Sequence, residues 1–370
     1  MKLKNLALKF SIFSVFSALE LELQYIRRSD VTMKALVYKG PKEVGVRDVL
    51  DPTPKDGSIK LRMKYCGICG SDISISLGKH PRAKAPLVLG HEFMGEVVEG
   101  GTKFRKGDRV VAYPLLSCGY CLPCRTGNAH VCNTLGLIGI DVDGGICEYG
   151  YVNEDVLFKV PDNVSDRAAT VIEPLAVIVR AIHQSNFKSL DVAAVTGAGP
   201  IGMITGMMLK HMGASKVFIS DVDEKRLKKA KEFGMIPVNA ITDSMEKITK
   251  AATDGEGVDV LFECSGAEIA IMQMTDITRV GGTICMVSIP KTPLNVNLRD
   301  INFKEQHIVG TRVYTKEEFR QAVEYSSQIN DDLEKIVSHI VPLKDSEKVF
   351  DMIADPTFGT VKVIVDCTDI

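Results

Sequence analysis

The chain has 370 residues, 45 of them basic and 47 acidic, for a net charge of −2, and 45 % are hydrophobic. That balance lacks the basic footprint of a nucleic-acid binder, no apolar run reaches the roughly 20 residues that span a bilayer, and no low-complexity tract, heptad pattern or repeat is visible. A length this far above one ordinary domain predicts two, each large enough to bury its own core without disulfides.

Residues 1–32, MKLKNLALKFSIFSVFSALELELQYIRRSDVT, place lysines ahead of the apolar run FSIFSVFSAL, much as a secretory signal does, but no A-x-A cleavage site follows. Met33 opens the strand-like alternation MKALVYKG, and every chemically distinctive motif lies beyond it. Residues 1–32 are therefore read as an extension outside the fold, and the reduced thiols and nicotinamide cofactor argued below place the protein in the cytoplasm.

From Met33 to about Glu173 the chain consists of short β-like runs broken by Gly, Pro and Asp, among them KALVYKG, SIKLRMKYC, HEFMGEVVEGG and GGICEYGYVN. This punctuation predicts a compact, mostly antiparallel or barrel-like unit. From about Pro174 strands alternate with helical stretches: VAAVTGAG, PIGMITGMMLKHMG, KVFISDVD, EKRLKKAKEFG, VDVLFECSG and GGTICMVSIP. Such alternation predicts βαβ units and a parallel sheet. Beyond Val313 a helix, TKEEFRQAVEYSSQ, precedes the strands IVSHIVPL and TVKVIVDC, which read as a return to the first unit. The expected division is 33–175, 176–312 and 313–370.

Three groups of residues carry chemistry. CGICGSD at 66–72 and GHEFMGE at 90–96 offer a thiolate, an imidazole and a carboxylate from separate segments. Such a set can hold a metal with one position open, whereas His91 or Cys69 taken singly reads equally well as an ordinary core residue. GHEFMGE is not the H-E-x-x-H of a metalloprotease, because the second histidine is missing. Next, Cys118, Cys121, Cys124 and Cys132 follow the spacing C-x2-C-x2-C-x7-C. Four thiolates from one short loop suit a closed tetrahedral structural zinc; a disulfide set needs an oxidising compartment, and a redox pair needs a thioredoxin-like helix start where Pro123 and Gly127 mark a loop. Finally, VAAVTGAGPIG places Gly197, Gly199 and Gly202 in G-x-G-x-x-G at a strand-to-helix junction, with Pro200 and Ile201 opening the helix. The glycines permit a tight turn, approach of a pyrophosphate and close packing, and the helix dipole favours the anion. Asp221 ends the next strand at the distance where a carboxylate accepts the adenosine ribose hydroxyls. It favours NAD over NADP, although Arg226 leaves a 2′-phosphate possible.

The order CGICGSD, GHE, four-cysteine lobe, EPLAV at 173–177 and TGAGPIG resembles that of the zinc-dependent medium-chain alcohol and polyol dehydrogenases, over essentially the whole chain from Met33 onward. The resemblance implies an α/β architecture: a GroES-like, mostly β catalytic domain built from both chain ends, an inserted Rossmann domain, and an active-site cleft between them. It implies Cys69, His91, Glu92 and Glu173 around a catalytic zinc, with Cys66 a bystander, a second, structural zinc in the lobe, Ser71 as the hydroxyl that starts a proton relay, and Asp72 as the carboxylate that orients an imidazole. Glu173, where classical members carry a cysteine, points to the sorbitol, butanediol, threonine and sugar-alcohol-phosphate branch. The implied reaction is hydride transfer between a secondary alcohol and NAD, with an amino-alcohol such as L-threonine as the alternative substrate. The family's histidine three residues after the relay hydroxyl is Ser74 here, which leaves either a different relay or His80 in its place. The remaining Cys147, Cys264, Cys285 and Cys367 read as buried small hydrophobes. By the same resemblance the protein is expected to form a homodimer or homotetramer, the strand GGTICMVSIP pairing between subunits, with a small alcohol or ketone as its partner; charge and hydropathy point to neither nucleic acid nor membrane.

Overall fold

A computed structural model describes residues 32–370. The extension read at 1–32 lies outside these residues except for Thr32, which already belongs to the first strand and pairs with Leu50. The strands up to the lobe are β1 (Thr32–Gly40), β2 (Glu43–Leu50), β3 (Ser58–Gly67), β4 (Leu87–Val88), β5 (Glu92–Val97), β6 (Arg109–Ala112) and β7 (Leu115–Leu116). After it come β8 (Gly136–Leu137), β9 (Tyr149–Asn153) and β10 (Leu157–Lys159). Alternation is plain in β3, where Ile59, Leu61 and Met63 at every second position are buried, as one core-facing side of a strand requires.

The middle of the chain supplies β11 (Val192–Thr196), β12 (Lys216–Asp221), β13 (Ile236–Asn239), β14 (Val258–Glu263), β15 (Thr278–Met286) and β16 (His307–Gly310). They form one six-stranded sheet in the order β13-β12-β11-β14-β15-β16, parallel throughout. Its central strands are apolar on both faces, with Ala193, Ala194 and Val195 of β11 and Leu261 and Phe262 of β14 fully buried, because helices cover both sides of a parallel sheet. The strand order reverses between β11 and β14, which creates a crevice at the carboxyl ends of these two strands.

The last strands, β17 (Val337–Pro342) and β18 (Lys362–Asp366), leave this sheet and join the first part of the chain in the order β10-β6-β5-β3-β18-β17, with β9 also on β3. Strands from before and after the parallel unit thus share one sheet, and the parallel sheet is built from the residues between them. The boundary read at 175/176 falls inside a continuous helix, α1 (Ile172–Ser185), which ends at Asn186 in the left-handed region, a conformation asparagine tolerates better than most residues. A later helix, α2 (Lys316–Gln328), begins with a capping box between Thr315 and Glu318. Glu318 then reaches α1, accepting from Arg180 Nη1 at 3.2 Å and lying 3.4 Å from His183 Nδ1.

Strand β15 differs from the expectation that it pairs between subunits. It is hydrogen-bonded on both sides, to β14 and β16, and β16 is the edge strand on that side of the sheet, with β13 at the other. Exposed Val280, Phe303 and Ile308 lie around the β16 edge. Among the described residues no helix is long and apolar enough to cross a membrane.

Candidate active site

CGICGSD spans the end of β3 and the start of a short helix, Gly70–Ser76, for which Cys69 is the N-cap and Asp72 the third residue. Asp72 Oδ2 accepts the Cys69 N–H at 2.8 Å, so the carboxylate fixes the thiolate-bearing turn. His91 and Glu92 arrive on the neighbouring strand, since Glu92 opens β5 opposite Gly67. The result is one cluster in which a ligand atom from each of Cys69, His91 and Glu92 lies within 4.8 Å of the others, with both His91 and Glu92 buried.

Asp72 Oδ1 and His91 Nδ1 stand 4.0 Å apart, and both are buried without a hydrogen-bond partner, as is Ser71 Oγ. Burial pushes the Asp72 carboxyl up. Burial alone would lower the His91 imidazole, but the Cys69 thiolate, Asp72 and Glu173 together hold it well above its ordinary value. Cys69, Asp72 and Glu173 thus act together on one buried imidazole, and a cysteine, a histidine and a carboxylate gathered this closely are the mixed donor set that a zinc ion takes.

Glu173 lies in the first turn of α1 and is buried, but it stands outside the three-residue cluster, and its Oε1 accepts the hydroxyl of fully buried Tyr314. Burial raises its carboxyl to about 7, with Glu92 adding to the rise and His91 opposing it. Tyr314 packs edge-on against Tyr113 and beside Phe319.

Lys362 was not singled out by any motif. Its ammonium bonds to Glu92 Oε2 and, at 3.0 Å, to Ile68 O. The contact crosses β3 at Gly67, where a Cβ would stand 2.1 Å from Glu92 Oε2 and 2.9 Å from Lys362 Cε. The glycine in CGICGSD is therefore what lets the two side chains meet. The available signal was a lone lysine inside the apolar run TVKVIVDC, since a charge in a buried strand needs a partner. Cys66 is buried and stays out of the cluster. Ser74 contributes its carbonyl, which accepts the N–H groups of Lys79 and His80, while His80 Nδ1 accepts those of Arg82 and Ala83 at 3.4 and 3.3 Å.

The second cluster joins Cys118, Cys121, Cys124 and Cys132. Sulfur separations are 3.9 Å for 118–124, 3.4 Å for 121–124 and 3.8 Å for 121–132. A zinc tetrahedron with bonds of about 2.3 Å has edges of about 3.8 Å, so the sulfurs already stand at metal spacing. The Cys118 N–H donates to Cys132 Sγ at 3.3 Å and lowers that thiol to about 6. All ten cysteines are free thiols. The stretch read as a loop contains a single helical turn, Leu122–Arg125, which accommodates Pro123 because a first-turn residue needs no N–H. Cys147, Cys285 and Cys367 are buried as expected, and Cys264 is half-buried.

The glycine motif forms a tight turn between β11 and a helix. Gly197 sits at φ +89°; a Cβ on Gly202 would lie 1.8 Å from Gly197 O; and Gly199 has nothing within 4 Å on its open side. The helix Pro200–His211 starts there, with Ile201 partly buried behind it. Asp221 Oδ2 accepts the Ala198 N–H at 2.6 Å and Oδ1 the Asp223 N–H at 2.9 Å, so the acid borders the glycine turn. Arg226 turns to Thr360 O at 3.3 Å and Asp223 at 3.9 Å.

Comparison with known proteins shows the family. Residues 55–162 match the alcohol dehydrogenase GroES-like domain and residues 200–328 match the zinc-binding dehydrogenase domain. The chain is 34 % identical to a sorbitol dehydrogenase of Halalkalibacterium halodurans over 327 residues, covering 86 % of this chain and 95 % of that one. It is also 34 % identical to an L-threonine 3-dehydrogenase of Cronobacter sakazakii over 340 residues, covering 89 % and 98 %. The crystal structure of 2R,3R-butanediol dehydrogenase from Bacillus subtilis superposes with a TM-score of 0.84 at 31 % identity, covering 90 % of this chain and 99 % of that one. The chain belongs to the zinc-dependent, GroES-like medium-chain alcohol dehydrogenase family. It is an oxidoreductase that acts on CH–OH groups with zinc and a nicotinamide cofactor.

Proposed function

We propose that the enzyme oxidises the secondary hydroxyl of a polyol, diol, sugar acid or sugar-alcohol phosphate with NAD, and reduces the corresponding ketone in reverse. The observation that carries the site assignment is the meeting of Cys69, His91 and Glu92 in one buried cluster, separate from the four-cysteine lobe. In this reading Cys69, His91 and Glu92 hold a catalytic zinc, with Glu173 as a neighbouring carboxylate, and Cys118, Cys121, Cys124 and Cys132 hold a structural one. Bound at the first site, zinc supplies a Lewis acid that favours loss of the proton from the substrate hydroxyl.

The chain's own groups do the rest. Asp72 ties down the Cys69 turn and faces His91, Tyr314 holds Glu173, and Lys362 balances Glu92. Ser71 Oγ, buried without a protein partner, would take the substrate proton while releasing its own to a water that leads to solvent. A nicotinamide held beside this site would supply the hydride acceptor, so that the two electrons lost by the alcohol would be those gained by the cofactor. Gly197, Gly199 and Gly202, with Pro200 and Ile201 at the helix start, cradle the pyrophosphate. Asp221 takes the adenosine ribose. NAD is favoured because Asp221 and Asp223 repel a 2′-phosphate while Arg226 is turned to Thr360 and Asp223.

The division at 33–175, 176–312 and 313–370 describes the two-domain organisation of this reading. The free thiols support a cytoplasmic setting, and the apolar edge at β16 supports a homo-oligomer. Absorbance at 340 nm against butanediol, sorbitol, xylitol, sugar acids, sugar-alcohol phosphates and L-threonine, with zinc counted on the same sample, tests the proposal. Turnover of a polyol or sugar derivative with two zincs per chain is expected. Preference for L-threonine overturns the substrate class, and a single zinc or none overturns the metal assignment.

A further inference from the structure

Glu263, the last residue of β14, is fully buried, and the described residues contain no ion pair to it. Its partners are neutral donors drawn from three strand ends. Oε1 accepts the Ser265 N–H at 3.0 Å, the Ser265 hydroxyl at 2.5 Å, the Gly266 N–H at 3.0 Å and the Thr196 hydroxyl at 3.1 Å. Oε2 accepts the Gly266 N–H at 3.2 Å and the Ser288 hydroxyl. Backbone bonds run the same way, from Cys264 N to Thr196 O and from Val287 N and Ser288 N to Glu263 O. Burying a carboxylate is costly unless it is hydrogen-bonded, and an ionised carboxylate is the one short side chain that accepts on both oxygens and donates nothing. A glutamine of the same length offers one acceptor oxygen and turns an NH2 group toward hydroxyl donors.

The place of this hub gives it a task. Thr196 precedes the glycine turn at the end of β11, Ser265 and Gly266 follow β14, and Ser288 follows β15. All stand at the carboxyl ends of the strands, next to the crevice where the strand order reverses. A dinucleotide laid across that crevice puts its adenosine on the β12 side, at Asp221, and its nicotinamide on the β14–β15 side. Ser265 also touches the phosphate turn, since a Cβ on Gly197 would stand 3.0 Å from Ser265 Cα. Ile289, beside the pinned Ser288, is 80 % exposed at the same edge.

We propose that Glu263 is a positioning residue for the nicotinamide half of the cofactor, fixing the loops after β11, β14 and β15 in the one arrangement that receives it. The inference rests on the cofactor reading above. It predicts that cofactor affinity is lost from one half of the dinucleotide and not from the other, which general support of the sheet does not predict.

The test is Glu263→Gln in the full-length zinc enzyme, with NADH binding followed by fluorescence, AMP binding by calorimetry, and zinc content and thermal midpoint measured alongside. NADH affinity is expected to fall roughly tenfold or more, and AMP affinity to stay within about twofold of wild type, because two of the three anchored loops, those after β14 and β15, serve the nicotinamide side, while the glycine turn after β11 keeps its separate bond from the Ala198 N–H to Asp221. Ser288→Ala, which removes one donor and leaves the carboxylate intact, is expected to weaken NADH by roughly threefold with AMP unchanged; it decides the matter if the glutamine variant does not fold. Unaltered NADH affinity in either folded variant, or equal loss of AMP and NADH, overturns the proposal. A wild-type protein that binds AMP, NADH and NADPH no better than background overturns the cofactor reading instead.

Discussion

Replacing Lys362 with methionine removes the counter-charge of Glu92 while keeping a side chain of similar length. Both groups are nearly inaccessible, with side-chain exposures of 2 % and 3 %. Removing one partner of a buried pair leaves the other charge uncompensated, at a cost of about 3–5 kcal/mol. At about 2–4 °C per kcal/mol for a domain of 150–250 residues, the metal-free thermal midpoint should fall by roughly 6–20 °C. A metal cation bound at Cys69, His91 and Glu92 offsets part of that loss, so the variant should gain more stability from zinc than wild type does. Scanning calorimetry on chelator-treated and zinc-loaded samples measures both quantities. Adding Glu92→Gln to the metal-free variant should recover most of the loss, because the stranded charge is then gone. An unchanged metal-free midpoint, or a loss that Glu92→Gln does not relieve, refutes the reasoning. The pH dependence has a definite sign. Burial alone would lower the Lys362 ammonium, but Glu92 and the Cys69 thiolate raise it above its ordinary 10.5. Its stabilising contribution is therefore complete below that value and disappears only as the pH rises through the higher folded one.

Cys124→Ser should lower the zinc content by one ion per chain, read by elemental analysis; an unchanged count removes the lobe from the metal assignment. Burial alone would raise the Glu318 carboxyl, but His183, the Thr315 N–H and hydroxyl, and Arg180 outweigh it and bring the carboxyl to about 2, from an ordinary 4.5. Its contribution, at most about 3 kcal/mol, is present above pH 4.5 and lost as the pH falls toward 2. The difference in urea midpoint between wild type and Glu318→Gln should therefore shrink with acid, and a difference that grows contradicts the ion network between α1 and α2. Asp221→Ser removes the charge that opposes a 2′-phosphate and should shift the NADP-to-NAD ratio of kcat/KM by roughly tenfold or more, measured by varying each cofactor at a saturating concentration of the alcohol.

The residues legible in the sequence are those whose partners lie close along the chain. Four sulfurs of one lobe and three glycines of one turn declare their geometry by spacing, because a short segment has few ways to arrange them. Cys69, His91 and Glu92 became legible through the order of motifs, since no local spacing ties residue 69 to residue 91. Lys362 was not legible: it meets Glu92 270 positions away, across a glycine. Tyr314 is 141 positions from Glu173, and Glu263 joins the ends of three strands. Such contacts depend on which strands become neighbours, and that is fixed by packing of the whole chain. The same holds for the edge of the parallel sheet beyond β15, which falls at β16 although the richer apolar run lies in β15. Sequence determined the fold class, the four-cysteine lobe and the glycine turn, because local spacing and periodicity specify them, and it pointed to Cys69, His91 and Glu92 through the order of motifs. Tertiary structure alone decided which buried charges are balanced and by what, because compensation of a charge in a low-dielectric interior depends on distance in space and not along the chain.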